Sequence, residues 1–217
     1  SYHGHKPTDK HISSMDYNKL KCPAFPPDED KMINSTRIRV ARNLAAYPLG
    51  TCITPKERLE VENLVVSALS EFTGDLKGKY YSMTTMSDSE RKGLIADHFL
   101  FKGGDKYLES AGLEREWPEA RGIFHNDAKT FLVWVNEEDQ LRIISMQKGS
   151  NILQVFQRLA DAANKIESKA KFANDEHFGY VSTCPTNMGT GLRASVHINL
   201  PKLMAKKDLM DSIADKY

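Results

Sequence analysis

The chain has 217 residues, 40% of them apolar, and a formal net charge of +1 at pH 7. That is enough apolar material for one sizeable core, and the balanced charge excludes a nucleic-acid backbone as the expected partner. No run approaches the roughly 20 apolar residues that would span a bilayer, and Ser1–His5 lack the apolar stretch of a signal peptide. A cytoplasmic location without membrane attachment is therefore expected, and a start other than Met suggests a processed or trimmed chain. Cys22, Cys52 and Cys184 are few, odd in number and scattered, so reduced thiols are expected rather than disulfides or a zinc site.

Residues 1–32 read as an irregular arm rich in Pro, Asp and Lys. A strand follows near 33–40, in which Arg37 and Arg39 alternate with Ile38 and Val40 and so share one face. Thr54-Pro55-Lys56-Glu57 is a capping box with proline at the first helical position. It opens a helix ending near Gly74 that is expected to turn Leu59, Leu64, Val65, Ala68, Leu69 and Phe72 inward. Ser87-Asp88-Ser89-Glu90 opens a second helix towards Leu100 in the same way. Strands near 130–135 and 141–147 flank the acidic segment Asn136-Glu137-Glu138-Asp139, and Arg142 interrupts the β-branched run of the second. Ile152, Val155, Phe156, Leu159, Ala163 and Ile166 recur at helical spacing. A strand near 178–183 precedes a turn made by Pro185, Gly189 and Gly191. Beyond it, Leu192, Ala194, Val196, Ile198 and Leu200 alternate with Arg193, Ser195, His197 and Asn199, predicting a strand over 192–199 with one buried face. An amphipathic helix from Lys206 to Tyr217 ends the chain. Strands in adjacent pairs with short links favour an antiparallel sheet. The expected class is α+β, with helices on the face opposite the arginines.

Three strands carrying arginine on a polar face point to an anion. The guanidinium is planar and permanently charged, which suits bidentate grip on phosphate, and the low net charge makes a small triphosphate the better candidate. No GxxxxGK[ST] loop is present, nor the glycine loop, HRD or DFG signatures of protein kinases, so arginines would have to hold the phosphates. The turn after Cys184 would bring that thiol and Arg193 to one cleft. A carboxylate of the 137–139 cluster could grip a cationic substrate and another could order Mg²⁺ through water.

Ser35-Thr36-Arg37-Ile38-Arg39, Arg121-Gly122-Ile123-Phe124-His125-Asn126-Asp127, Asn136-Glu137-Glu138-Asp139 and Cys184-Pro185-Thr186-Asn187 together resemble the phosphagen (guanidino) kinases. Lys6-Pro7-Thr8-Asp9-Lys10-His11, Tyr47-Pro48, Gly78-Lys79-Tyr80-Tyr81 and Asp97-His98-Phe99-Leu100-Phe101 fit in the same order, so the resemblance runs through nearly the whole chain. It implies reversible transfer of the γ-phosphoryl group of MgATP to a guanidino compound. By that resemblance Arg37, Arg39, Arg142 and Arg193 are phosphate ligands, Ser35 lies close to the phosphates, and His125 and His197 lie beside the adenosine. From the residues alone, both histidines read as structural. Glu138 would grip the guanidinium, Glu137 would meet the Mg²⁺ shell, and Cys184 would sit as a thiolate beside the guanidino group with Thr186 as a local donor. Mg²⁺ would be held mainly by ATP or ADP and water, with no protein metal site of its own.

Two departures from the family pattern stand out. Gln140 replaces the usual histidine, with little effect expected since it is not a phosphate ligand. Family members also usually carry an N-terminal helical domain with the substrate-specificity loop, and a C-terminal continuation with a second glutamate. The expectation is therefore a partial catalytic domain over 1–217 with poor turnover by itself. Thr186, where creatine kinases generally carry serine, favours arginine as substrate; creatine, taurocyamine or another guanidine, and a silent nucleotide-binding fragment, are the alternatives. Tyr47-Pro48 and the run His125–Phe131 set the chain apart from bacterial-type protein-arginine kinases. Monomer and homodimer both remain open.

Overall fold

In a computed structural model the chain is described at residues 6–11, 16, 18 and 20–216. The remainder of the predicted arm, Ser1–His5 included, lies outside the described residues, as does Tyr217. Within that arm Pro27–Asp30 forms a single helical turn, α1. Strand β1 then runs Ile33–Arg42 and helix α2 Pro55–Ser70. Strand β2 is Gly78–Ser82, α3 is Asp88–Ala96 and α4 is Lys106–Ser110. Strands β3 (Gly122–Asn126), β4 (Phe131–Val135) and β5 (Leu141–Lys148) follow, then the long helix α5, Ile152–Lys169. The last elements are β6 (Asn174–Asp175), β7 (Gly179–Tyr180), β8 (Leu192–Ile198), α6 (Pro201–Met204) and α7 (Lys207–Ala214).

Six strands form one sheet in the order β2-β3-β4-β5-β1-β8, with every neighbouring pair antiparallel. The α+β class is as expected. Both capping boxes form: Thr54 and Ser87 each accept from the backbone N–H three residues on, and Glu57 and Glu90 each reach back to the cap N–H. On one face Ile38, Val40, Phe131, Val133, Val135, Leu141 and Ile143 pack against Val61, Val65 and Leu69 of α2 and Val155, Leu159 and Ile166 of α5. Each such fully buried side chain contributes about 1.5–3 kcal/mol.

The opposite face is divided. Its β3–β4–β5 half carries Ile123, Leu132, Trp134 and Ile144 under Met83, Leu100 and Phe101, with Leu94 and Ile95 of α3 packed on the same cluster. Its β1–β8 half carries Arg37, Arg39 and Arg193 and stays open, with Arg142 of β5 at the border.

Three expectations need correction. Leu59 is exposed, because the buried stripe of α2 runs through Arg58, Val61, Glu62, Val65 and Leu69, and Leu59 lies off it. The 178–183 strand shrinks to Gly179–Tyr180, which pairs with β6 and, through Tyr180, bridges to Gly189. Strand β8 has no buried face: it is the edge strand, and Leu192, Val196 and Ile198 are 36–49% exposed. The expected C-terminal helix forms as α7, exposed along its length.

Candidate active site

Arginines from three strands meet because of register. Residues directly opposite one another in an antiparallel pair project from the same face. Arg39 stands opposite Arg193 of β8, Arg37 opposite Ser195 and Ser35 opposite His197. On the other side of β1, Ala41 stands opposite Arg142 of β5. Arg37, Arg39, Arg142 and Arg193 therefore crowd one patch. Burial, then the charges of Arg142 and Arg193, lowers the Arg37 guanidinium from its ordinary value. Arg39 is lowered by burial, Arg142, Arg37 and Arg193, with Glu137 opposing. Among the described residues no ion pair engages Arg37, Arg39 or Arg193, and the buried Arg37 Nε has no hydrogen-bond partner. Like charges converging with a donor unspent make a patch complementary to a polyanion. Two cavities open on it. One, of about 140 Å³, is lined by Arg39, Arg142, Thr186, Asn187, Thr190 and Arg193 among others. The other, of about 210 Å³, is lined by Arg37, Arg39, Arg193, Ser195 and His197. Ser35 Oγ and His197 Nδ1 lie 3.0 Å apart at the outer end of the row.

The acidic turn lies beside Arg142. Arg142 reaches Glu137 at 3.1 Å and Glu138 at 2.9 Å, and its guanidinium sits 5.4 Å from the centre of the Trp134 ring. Burial pushes the Glu138 carboxyl up from its ordinary value; Asp139 and Glu137 push the same way and Arg142 opposes them. The turn is held from every side. Asn136 adopts φ 56°, a left-handed conformation that asparagine tolerates, and its amide donates to Arg58 and Ala120 carbonyls. Asp139, 2% exposed, accepts 2.7 Å bonds from Asn43 Nδ2 and from the Thr183 N–H. That carboxylate links the turn to the end of β1 and to the cysteine segment.

Cys184 precedes a single 3-10 turn, Pro185–Asn187, and its Sγ lies 3.0 Å from Thr186 Oγ1. The chain then reverses through Gly189 and Gly191, at φ 99° and 57°, into β8. Cys184 is half-buried, whereas Cys22 and Cys52 are exposed.

Most of the residues singled out in the sequence thus come together: Ser35, Arg37, Arg39, Arg193 and His197 across β1 and β8, then Arg142, Glu137 and Glu138, then Cys184 and Thr186. His125 does not join them. It shares the face and the cross-strand row His125–Leu132–Ile144–Arg39, but stands three strands away, about 14 Å by strand spacing. There it stacks on Tyr81, ring centres 4.9 Å apart, with its Nδ1 2.9 Å from the Asn126 carbonyl oxygen. Sequence reasoning passed over Asn43 and gave Asp139 no role of its own within the acidic cluster. It also undervalued Gln140, which is buried and bridges the Leu44 N–H to the Pro48 carbonyl. Only its place in the acidic segment could have drawn attention to it.

The chain belongs to the ATP:guanido phosphotransferases: residues 60–217 match that family's C-terminal catalytic domain. Among its relatives, the arginine kinase of Anthopleura japonica is 52% identical over all 217 residues, which span 30% of that protein. The arginine kinase of Limulus polyphemus is 49% identical, with 60% of its length covered. Among solved structures, a lombricine kinase superposes with a TM-score of 0.86 at 39% identity, over 96% of this chain and 58% of that one. The duplicated taurocyamine kinase of Schistosoma mansoni, with transition-state-analogue components bound, gives 0.85 at 43% identity, over 95% of this chain and 29% of that one. The chain thus spans less than two thirds of the length of each of these relatives.

Proposed function

We propose that this chain is the phosphate-binding and guanidine-aligning part of a kinase that transfers the γ-phosphoryl group of MgATP reversibly to a guanidino compound, arginine being the substrate favoured. The observation that carries the reading is the juxtaposition of four arginines with no carboxylate partner for three of them and a carboxylate pair beside the fourth, among the described residues. The similarity to arginine kinases at about half identity supports arginine.

In the reaction Arg37, Arg39, Arg142 and Arg193 hold the phosphate oxygens and offset charge on the moving phosphoryl group. Ser35 and His197 border the same cavity. Glu138 takes one edge of the planar guanidinium, and the Cys184 sulfur, steadied by Thr186, takes another. A guanidino nitrogen attacks the γ-phosphorus, a P–N bond forms as the bond to the ADP oxygen breaks, and Glu138 accepts the nitrogen's proton. Its raised carboxyl suits a general base better than an ordinary glutamate would. Little covalent help is needed, since phosphoryl transfer is governed by positioning and charge neutralisation.

Mg²⁺ bound to the nucleotide supplies further neutralisation. The described residues contain no cluster of three or more metal-binding side chains, while Glu137 and Glu138 offer the hard oxygens Mg²⁺ favours. Glu137 would meet its water shell. His125, on the same face at a distance, would lie towards the nucleoside rather than the phosphates. No described helix is long and apolar enough to cross a membrane.

Calorimetric titration with MgADP tests the reading. Binding should weaken roughly 10- to 150-fold in Arg193→Ala, the loss of one charge-assisted contact of about 1.5–3 kcal/mol. Unchanged affinity would remove the phosphate assignment.

A further inference from the structure

A further arginine of β1 points the other way. Arg42 ends β1 opposite Leu141, a core residue, so it lies on the reverse face of the sheet from Arg37 and Arg39. It is 1% exposed. Its Nη1 donates to the Ala41 carbonyl at 2.7 Å and to the Thr190 carbonyl at 2.9 Å. Its guanidinium carbon lies over the Tyr180 ring, 3.5 Å from the centre, and 5.8 Å from that of Phe172. Burial lowers this group to about 10, with Tyr180 and more distant carboxylates holding it up.

These contacts converge on one loop. Tyr180 and Gly189 exchange both backbone hydrogen bonds, at 2.8 and 3.3 Å, closing the segment that carries Cys184 and Thr186. The Ala41 N–H donates to the Gly191 carbonyl at 3.0 Å. A Cβ on Gly191 would stand 2.9 Å from the Ala41 oxygen and 3.0 Å from Arg42 Nη1, so the loop packs directly on the guanidinium. Arg193 lies two residues further along. A planar cation is suited to this place: it stacks on an aromatic ring with one face while its edge serves two carbonyls, which a lysine ammonium cannot do in the same geometry.

We infer that Arg42 is a positioning residue for phosphoryl transfer: it clamps the Tyr180–Gly191 loop to the end of β1 from beneath the sheet, and thereby fixes where Cys184 and Arg193 stand relative to Arg39 and Arg142. The inference rests on the function proposed above only for the reaction affected; the clamp itself is a matter of geometry.

The test compares the complete protein with Arg42→Lys, which keeps the charge, and Tyr180→Leu, which removes the stacking platform, at a temperature where circular dichroism shows all three folded. Amide exchange should rise several-fold over 186–193 in both variants while β4 and β5 keep wild-type protection. Alkylation of Cys184 should change relative to Cys22 and Cys52, which serve as references in the same sample. Turnover should fall by about 10²-fold, the scale set by ångström-level misplacement, with no such loss in melting temperature. Wild-type exchange over 186–193 together with wild-type turnover would overturn the inference. So would exchange raised uniformly through β4 and β5, which marks a purely structural arginine. Should the wild-type protein phosphorylate no guanidine, the functional reading fails, yet the exchange and alkylation results still decide the clamp.

Discussion

Arg142 is the residue where the two halves of the site meet, and its loss should be felt twice. Replacing it with Met keeps much of the contact with Trp134 but removes the cation shared by Glu137 and Glu138. Removing one partner of a buried ion pair costs about 3–5 kcal/mol. Here the three side chains are 12–21% exposed, so a discounted loss of about 1–3 kcal/mol is expected. The pH dependence carries the sharper signature. Arg142 is the main influence holding the Glu138 carboxyl down against burial, so its removal lets that carboxyl rise further. A folded-state value raised above the unfolded one gives stability that is present at low pH and lost as pH rises through the folded value. The deficit of Arg142→Met should therefore be largest near pH 7 and shrink towards pH 4.5. Urea denaturation of wild type and variant at both pH values measures it. A deficit independent of pH, or one that grows on acidification, would refute the assigned coupling between Arg142 and Glu138.

Other outcomes follow from the same geometry. Glu138→Gln should lower turnover by about 10²–10⁴-fold, the range for a general base, while MgADP affinity in calorimetry stays within a few-fold of wild type. Iodoacetamide should label Cys184 before the more exposed Cys22 and Cys52, and Thr186→Val should slow it by removing the 3.0 Å hydroxyl contact; peptide mass spectrometry showing the order set by exposure alone would count against both roles. Gln140→Ala should cost about 1–3 kcal/mol in denaturant unfolding, because the Leu44 N–H and Pro48 carbonyl lose buried partners. Leu159→Ala in the main core should cost about 2–5 kcal/mol in the same assay with the m-value unchanged.

Local chemistry was the legible part of this sequence. The capping boxes at Thr54 and Ser87 formed as read, because their partners lie three residues away. Alternation placed Arg37 and Arg39 on one face, and the acidic segment between two strands gave the turn. Strands β2 and β3 are not legible as strands in the sequence, since Gly78–Ser82 and Gly122–Asn126 each begin with glycine and lack clean alternation. Pairing of β1 with β8 joins residues about 160 positions apart, which no local pattern encodes. The same limit hid Arg42, whose carbonyl and aromatic partners come from a distant loop, and Gln140, whose partners lie some 90 residues upstream. For β8 the alternation was real but its burial was not: as an edge strand it gains no cover for Leu192, Val196 and Ile198 among the described residues.

The most direct measurement is phosphorus NMR of MgATP incubated with the complete protein and, in parallel, arginine, creatine, taurocyamine and glycocyamine. The account predicts a phosphoguanidino signal growing as ATP is converted to ADP, fastest with arginine, and abolished in Arg39→Ala and Glu138→Gln alike. Tight MgATP binding with no transfer to any of the four guanidines would contradict it.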